Sequence, residues 1–322
     1  MLAEILAVPI RCLLAAIVLL ALGSPAFAQF KEKEGGKGVR YGEEQTKKYR
    51  AGLVITARGG AVKNVRATVP VPFEWPEQEV RVVQEDLTPQ VKQIDYRMND
   101  GTVRQMLVEI PLLTPEREGQ AILTFEVKRR RILAPSDTSI FVIPKRPPRE
   151  VMKYLGPSPY IESRSRTIID LAKETIEGQD QAWKKVEAIY DKVREKVEYK
   201  DSELKGALAA LRDGHADCED LTSLFIAMCR AVDVPARTVW VPGHCYPEFY
   251  LQDDDGQGHW FPCQAAGTRA FGEMTEPRPI LQKGDNFKVP EKPKPQRYVA
   301  EYLKGLPAGG TPKVKWIREM VD

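Results

Sequence analysis

The stretch Gly214-His215-Ala216-Asp217-Cys218-Glu219-Asp220-Leu221-Thr222 runs from a small-residue turn straight into an amphipathic pattern. Leu221, Leu224, Phe225, Met228, Cys229 and Val232 recur at helical spacing, which predicts a helix with one buried face starting beside Cys218. A thiol at a helix N-terminus lies next to unpaired backbone N–H groups and the positive end of the helix dipole. Both favour the thiolate. The same N–H groups suit the oxyanion of an acyl transfer. Cys218 is therefore the candidate nucleophile, carried on a rigid core element.

A thiol nucleophile needs a base, and the chain holds three histidines, at 215, 244 and 259. His244 opens the run His244-Cys245-Tyr246-Pro247-Glu248-Phe249-Tyr250-Leu251, a strand by its aromatic and apolar content. Asp253 to Gly258 reads as a turn, and His259-Trp260-Phe261-Pro262-Cys263-Gln264 as the returning strand. A hairpin centred on Asp254 sets His244 opposite Gln264 on one face, where the amide accepts from Nδ1–H and fixes the tautomer. The same register sets Cys245 opposite Cys263 on the other face, with Cα atoms about 4.5–5.5 Å apart, and predicts a Cys245–Cys263 disulfide. His215 competes as base, but it shares the thiol's own turn and approaches the sulfur poorly.

Four ordered motifs carry a family resemblance: Gly214-x-x-x-Cys218-x-Asp220, Leu224-Phe225 through Cys229-Arg230-Ala231 to Pro235-Ala236-Arg237, His244-x-Tyr246-x-Glu248, and Trp260-x-Pro262-x-Gln264. Together, over roughly residues 160 to 270, they resemble the bacterial transglutaminase-like superfamily. The resemblance implies a papain-type α+β fold, a cysteine nucleophile, a strand histidine as base and an aspartate after the Trp-x-Pro stretch. These fall on Cys218, His244 and Gln264, so the third position departs from the pattern. An amide oxygen still accepts from an imidazole and loses only the negative charge. A thiol–imidazole pair tolerates that loss because its thiolate already forms near neutral pH.

Residues outside this segment set the context. Met1 to Ala28 has an apolar run from Cys12 to Leu22 and an Ala26-x-Ala28 cleavage pattern, which predicts a signal peptide and export to the periplasm or beyond the cell. The run is too short to span a bilayer, so no membrane insertion is expected after cleavage. Residues 29–44 are polar and predict a flexible leader. Residues 45–148 alternate, as in Val65, Ala67, Val69 and Val71 or Ala121, Leu123, Phe125 and Val127, with a hairpin signal at Asn99-Asp100-Gly101. They predict an N-terminal β-sandwich. Prolines at 147, 148, 157 and 159 mark a boundary, and 149–290 form the expected catalytic domain, with helices over Ile161–Ile176, Gln181–Val197 (capped by Asp180) and Leu204–Leu211. Residues 291–322 are expected to pack on that domain as a tail.

The net charge of +3 leaves no footprint for nucleic acid, and Lys128-Arg129-Arg130-Arg131 reads as a solvated strand end. The cysteines and histidines show no zinc spacing, and Asp253-Asp254-Asp255-Gly256 lacks the alternating ligands of a calcium loop, so no metal or other cofactor is expected. Trp183, Trp240 and Trp260 read as core or cleft wall. The expected function is thiol-dependent amide hydrolysis or acyl transfer on a protein or peptide substrate through Cys218, His244 and Gln264. A degenerate cleft that only binds is the alternative.

Overall fold

In the computed structural model, which describes residues 37–321, the alternating apolar positions become buried faces of long strands. These are β1 (Arg40–Arg58), β2 (Ala61–Val71), β3 (Gln78–Leu87), β4 (Gln93–Asn99), β5 (Val103–Leu113) and β6 (Glu118–Leu133). Asp100 and Gly101, with φ of 50° and 66°, turn β4 into β5 where the Asn-Asp-Gly signal predicts it. Helices follow, then a strand phase: α1 (Arg149–Met152), α2 (Arg166–Ile176), α3 (Ala182–Lys196), β7 (Glu198–Tyr199), α4 (Ala207–Asp213), β8 (His215–Ala216), α5 (Cys218–Ala231), β9 (Ala236–Val241), β10 (His244–Gln252) and β11 (Gly258–Pro262). β12 (Gln282–Lys283), β13 (Tyr302–Ala308) and β14 (Thr311–Val321) complete the order.

One four-stranded sheet runs β14-β1-β6-β3, and one eight-stranded sheet runs β11-β10-β9-β12-β5-β2-β13 with β4 also on β5. Leu53 and Ile55 of β1 and Leu123 and Phe125 of β6 share an apolar core with Val65 and Val69 of β2 and Met106 and Ile110 of β5. A second core lies between the helices and the hairpin β10–β11. There Trp183, Val186, Ile189 and Tyr190 of α3 and Leu224, Phe225 and Met228 of α5 meet Phe249 and Phe261. The fold is thus α+β, rich in sheet.

The expected partition into a β-sandwich of 45–148 and a separate catalytic domain does not describe this arrangement, because one sheet crosses the boundary. β12 pairs with β9 through Gln282↔Trp240 and Lys283↔Val239, and with β5 through Gln282↔Val103. Buried charge reinforces the seam: Lys283 Nζ lies 2.6 Å from Glu77 and 2.7 Å from Glu248, and Arg237 holds the other Glu248 oxygen at 2.9 Å. The tail does two things: Arg297 contacts Glu219 and Tyr298 packs on Trp240, as expected of a tail on the catalytic segment, while its strands pair with the N-terminal ones, β13 with β2 and β14 with β1.

Smaller expectations change for local reasons. The leader ends early, since β1 begins at Arg40, and the proposed signal peptide lies outside the described residues. Gln181, not Asp180, occupies the N-cap of α3. Arg129 is no solvated strand end: it is 2% exposed, with Nη2 3.4 Å from the Tyr246 hydroxyl.

Candidate active site

Cys218 is the first residue of α5, and Asp217 is the N-cap, its Oδ1 accepting from Asp220 N–H at 2.9 Å. The fully buried Asp220 carboxylate accepts in turn from the backbone N–H groups of Lys205 and Gly206, the latter at 2.8 Å. The loop before α4 is thereby tied to the first turn of α5. The apolar stripe of the helix, from Leu221 to Cys229, is buried in the helical core. Nothing in this anchoring lets the sulfur drift.

His244 opens β10 after a two-residue turn, Pro242-Gly243, in which Gly243 takes φ of 70°. Arg278 grips that turn through Pro242 O at 2.9 Å and is itself held by Glu276 at 2.6 Å. The Gln264 carboxamide reaches the His244 ring at Nε2, its nitrogen at 3.0 Å and its oxygen at 3.4 Å. Half a turn of the amide exchanges the two atoms. The contact is therefore at Nε2, whereas the sequence places it at Nδ1. Nδ1 is the ring nitrogen that Gln264 does not engage.

The hairpin register also differs. Tyr250 faces Trp260 and Glu248 faces Pro262, so the turn centres on Asp255, a slip of two residues from the expected pairing. Asp253 sets this loop: its Oδ1 accepts from the N–H of Asp255 at 3.0 Å and of Gln257 at 2.8 Å, and its Oδ2 lies 2.8 Å from His259 Nε2. A slip of one would have turned every side chain over; a slip of two keeps the faces. Gln264 therefore still meets His244, now as a diagonal neighbour. Cys263 does not meet Cys245. Its N–H donates to Pro247 O, its side chain is fully buried in the helical core, and Cys245 and Cys263 are both free thiols.

Cys245 lies instead against the nucleophile candidate. Its thiol donates to the Cys218 carbonyl oxygen, Sγ to O 4.0 Å. That thiol and the His244 imidazole, with its charge, pull Cys218 down to about 4 against the burial that opposes them. Cys245 keeps its proton, pushed well above the ordinary range first by its bond to Cys218 and then by burial. Burial works against a charged His244, yet the bond and charge of Cys218, with help from Gln264, hold its pKa above the ordinary value. Both shifts run in the direction that favours a thiolate beside an imidazolium. Sequence reasoning missed Cys245 because strand alternation assigns it to the face away from His244.

The other histidines are structural. His215 Nδ1 is 3.1 Å from Asp213 O on β8, and His259 is bound to Asp253 and packs edge-on against Phe141. A cleft of about 460 Å³ opens beside Cys218, His244 and Cys245, lined also by Trp240, Arg297, Tyr298 and Arg318, with the Tyr298 ring packed edge-on against Trp240. Trp240 Nε1 is spent on Gly284 O at 2.8 Å, and Arg297 contacts Glu219. Among the described residues, Asp253, Asp254 and Asp255 are the one acidic cluster of metal-site dimensions, and Lys37 already bridges two of them at 2.6 and 2.8 Å.

This arrangement spans the stretch of sequence that comparison singles out, for residues 169–265 match the description of the transglutaminase-like superfamily. Residues 169–265 form a transglutaminase-like core. They carry Cys218, His244 and Gln264 together. The whole fold is similar to a solved chain from Cytophaga hutchinsonii named as a proposed cysteine protease, at 17% identity and a TM-score of 0.57, covering 88% of this chain and 94% of that one. A chain from Parabacteroides distasonis, named as a proposed protease, is 12% identical with a TM-score of 0.28 over 67% of this chain and 46% of its own, too distant to bear on the fold. No curated protein matches the sequence. The likeness to the Cytophaga chain extends well beyond the transglutaminase-like core, which accords with a sheet that runs through both halves.

Proposed function

We propose that this chain is an exported thiol-dependent amide hydrolase, peptidase-like in its chemistry, acting through Cys218, His244 and Gln264. The observation that carries the reading is that Cys218 and His244 line one cleft while the Gln264 amide hydrogen-bonds the His244 ring. The thiolate attacks the amide carbonyl carbon, forming an S–C bond as the carbonyl electrons move to oxygen. The Cys218 N–H, at the first helical position and without a partner inside the helix, faces that oxyanion. The imidazolium of His244 gives its proton to the leaving amine as the C–N bond breaks. Water then attacks the thioester with His244 as base, releasing the acid and restoring the thiolate. Gln264 positions the ring throughout. Attack by an amine in place of water would make the same site an acyl transferase.

Hydrolysis is the favoured branch because water is present at every turnover. The test is turnover of a peptide-amide library by the wild-type protein and by Cys218→Ser, with products identified by mass. The serine variant is expected to keep its fold and lose at least about 10³-fold in rate, since a hydroxyl is far harder to ionise. Equal turnover by the two proteins refutes the nucleophile. Amine-linked products in place of free acids would convert the reading to acyl transfer.

A further inference from the structure

We propose that Cys218 and Cys245 are a peroxide-oxidised disulfide pair that closes the site reversibly. The inference rests on Cys218 being the nucleophilic thiolate. The geometry is specific: one sulfur belongs to the first residue of α5, the other to the second residue of β10, and the Cys245 sulfur lies 4.0 Å from the Cys218 carbonyl oxygen. Both line the same cleft, which gives a small oxidant a path to them. A hydroxyl at residue 245 would serve as a donor equally well, and a thiol is the weaker donor of the two. What sulfur adds is the ability to form a covalent bond with Cys218.

The chemistry needs a hydroperoxide as oxidant and balances in two steps. The Cys218 thiolate attacks one peroxide oxygen, an S–O bond forms, the O–O bond breaks, and the departing hydroxide takes the proton of the His244 imidazolium to become water. Cys245 sulfur then attacks the Cys218 sulfenic sulfur; the S–S bond forms, the S–O bond breaks, and the leaving hydroxyl departs as water with the Cys245 proton. Two electrons pass from the sulfurs to each peroxide. A dithiol reverses the change. Because Cys245 already lies against Cys218 on the same cleft, its sulfur 4.0 Å from the Cys218 carbonyl oxygen, the capture step competes with a second oxidation. Cys229 and Cys263 are fully buried and held as thiols by that burial, so they stand outside the reaction.

The experiment treats the whole chain with hydrogen peroxide, maps every cysteine by peptide mass without reduction, and measures Cys218 alkylation before oxidation and after dithiothreitol. The expected result is a peptide joining residues 218 and 245 with the loss of two hydrogens, and return of Cys218 alkylation on reduction. In Cys245→Ser, which keeps a donor but no second sulfur, Cys218 is expected to proceed to sulfinic acid, and its recovery after dithiothreitol to fall at least about tenfold. Rapid alkylation of Cys218 with no joined peptide, or equal recovery in the serine variant, overturns the pair while leaving the nucleophile intact. Slow alkylation of Cys218 in the untreated protein overturns the nucleophile and, with it, the sulfenic step.

Discussion

The pH at which Cys218 becomes reactive is the sharpest test of the site. Its pKa falls from 9.0 to about 4 through hydrogen bonds from Cys245 and His244. At pH 5 an ordinary thiol is about one part in 10⁴ thiolate, while Cys218 is about nine-tenths ionised. The same fall in basicity weakens each thiolate about 200-fold for a Brønsted slope near 0.45. The population effect wins in acid and loses in base: Cys218 is expected to react with a disulfide probe about 50-fold faster than free cysteine at pH 5, about equally at pH 7 and about 100-fold more slowly at pH 9. Its own rate should be nearly flat above pH 5 and drop below it with a midpoint near 4. The assay is stopped-flow exchange with dithiodipyridine, which stays reactive in acid. Access through the cleft scales the whole curve and leaves the midpoint in place. A rate that climbs tenfold per pH unit toward 9 would refute the thiolate–imidazolium state.

Gln264→Asp should set a negative charge at His244 Nε2, raise the imidazole pKa further and extend amide turnover to higher pH; Gln264→Leu should pull the alkaline limb inward and lower kcat, and unchanged pH profiles in both would count against the contact. His244 has a folded pKa above its ordinary 6.5, so its contribution to stability is complete below about 6.5 and is lost as pH rises through the folded value. Urea midpoints against pH should therefore show a decline on that limb that is absent in His244→Ala. Lys283→Met removes the cation shared by Glu77 and Glu248 and leaves buried carboxylates short of a partner. The expected cost is about 3–5 kcal/mol in the urea unfolding free energy, and a variant within 1 kcal/mol of wild type, on the order of measurement scatter, would show the network to be idle.

The sequence was most legible where local rules and burial agree. The stripe of α5, the alternation of β2 and β6 and the Asn-Asp-Gly turn each follow from spacing alone, and the turn-to-helix junction places Cys218 at the start of α5. The hairpin register was harder because its turn is set by one carboxylate, Asp253, whose bonds to Asp255 and Gln257 compete with any symmetric placement of the Asp-Asp-Asp-Gly run. Gln264 survived the slip because pairing errors of two preserve the face, while the Cys245–Cys263 bridge did not, since it required direct opposition. β12 left no trace in sequence. Two residues, Gln282 and Lys283, have no periodicity to read, and their role as the seam of the eight-stranded sheet exists only through long-range partners.

The late residues of the cleft lining have a consequence for the order in which the molecule is made. Cys218 and His244 leave the ribosome well before Arg297, Tyr298 and Arg318, and β1 waits for residues 311–321 before gaining β14 as its neighbour. At ordinary elongation rates the roughly 100 residues between 218 and 318 take about 5–20 s to emerge. During that interval the proposed nucleophile and base are present, but the cleft beside them is half built. On that reading a nascent chain carries the Cys218 sulfur before the cleft lining is complete, and gains the rest of it only as its late strands pair with the early ones.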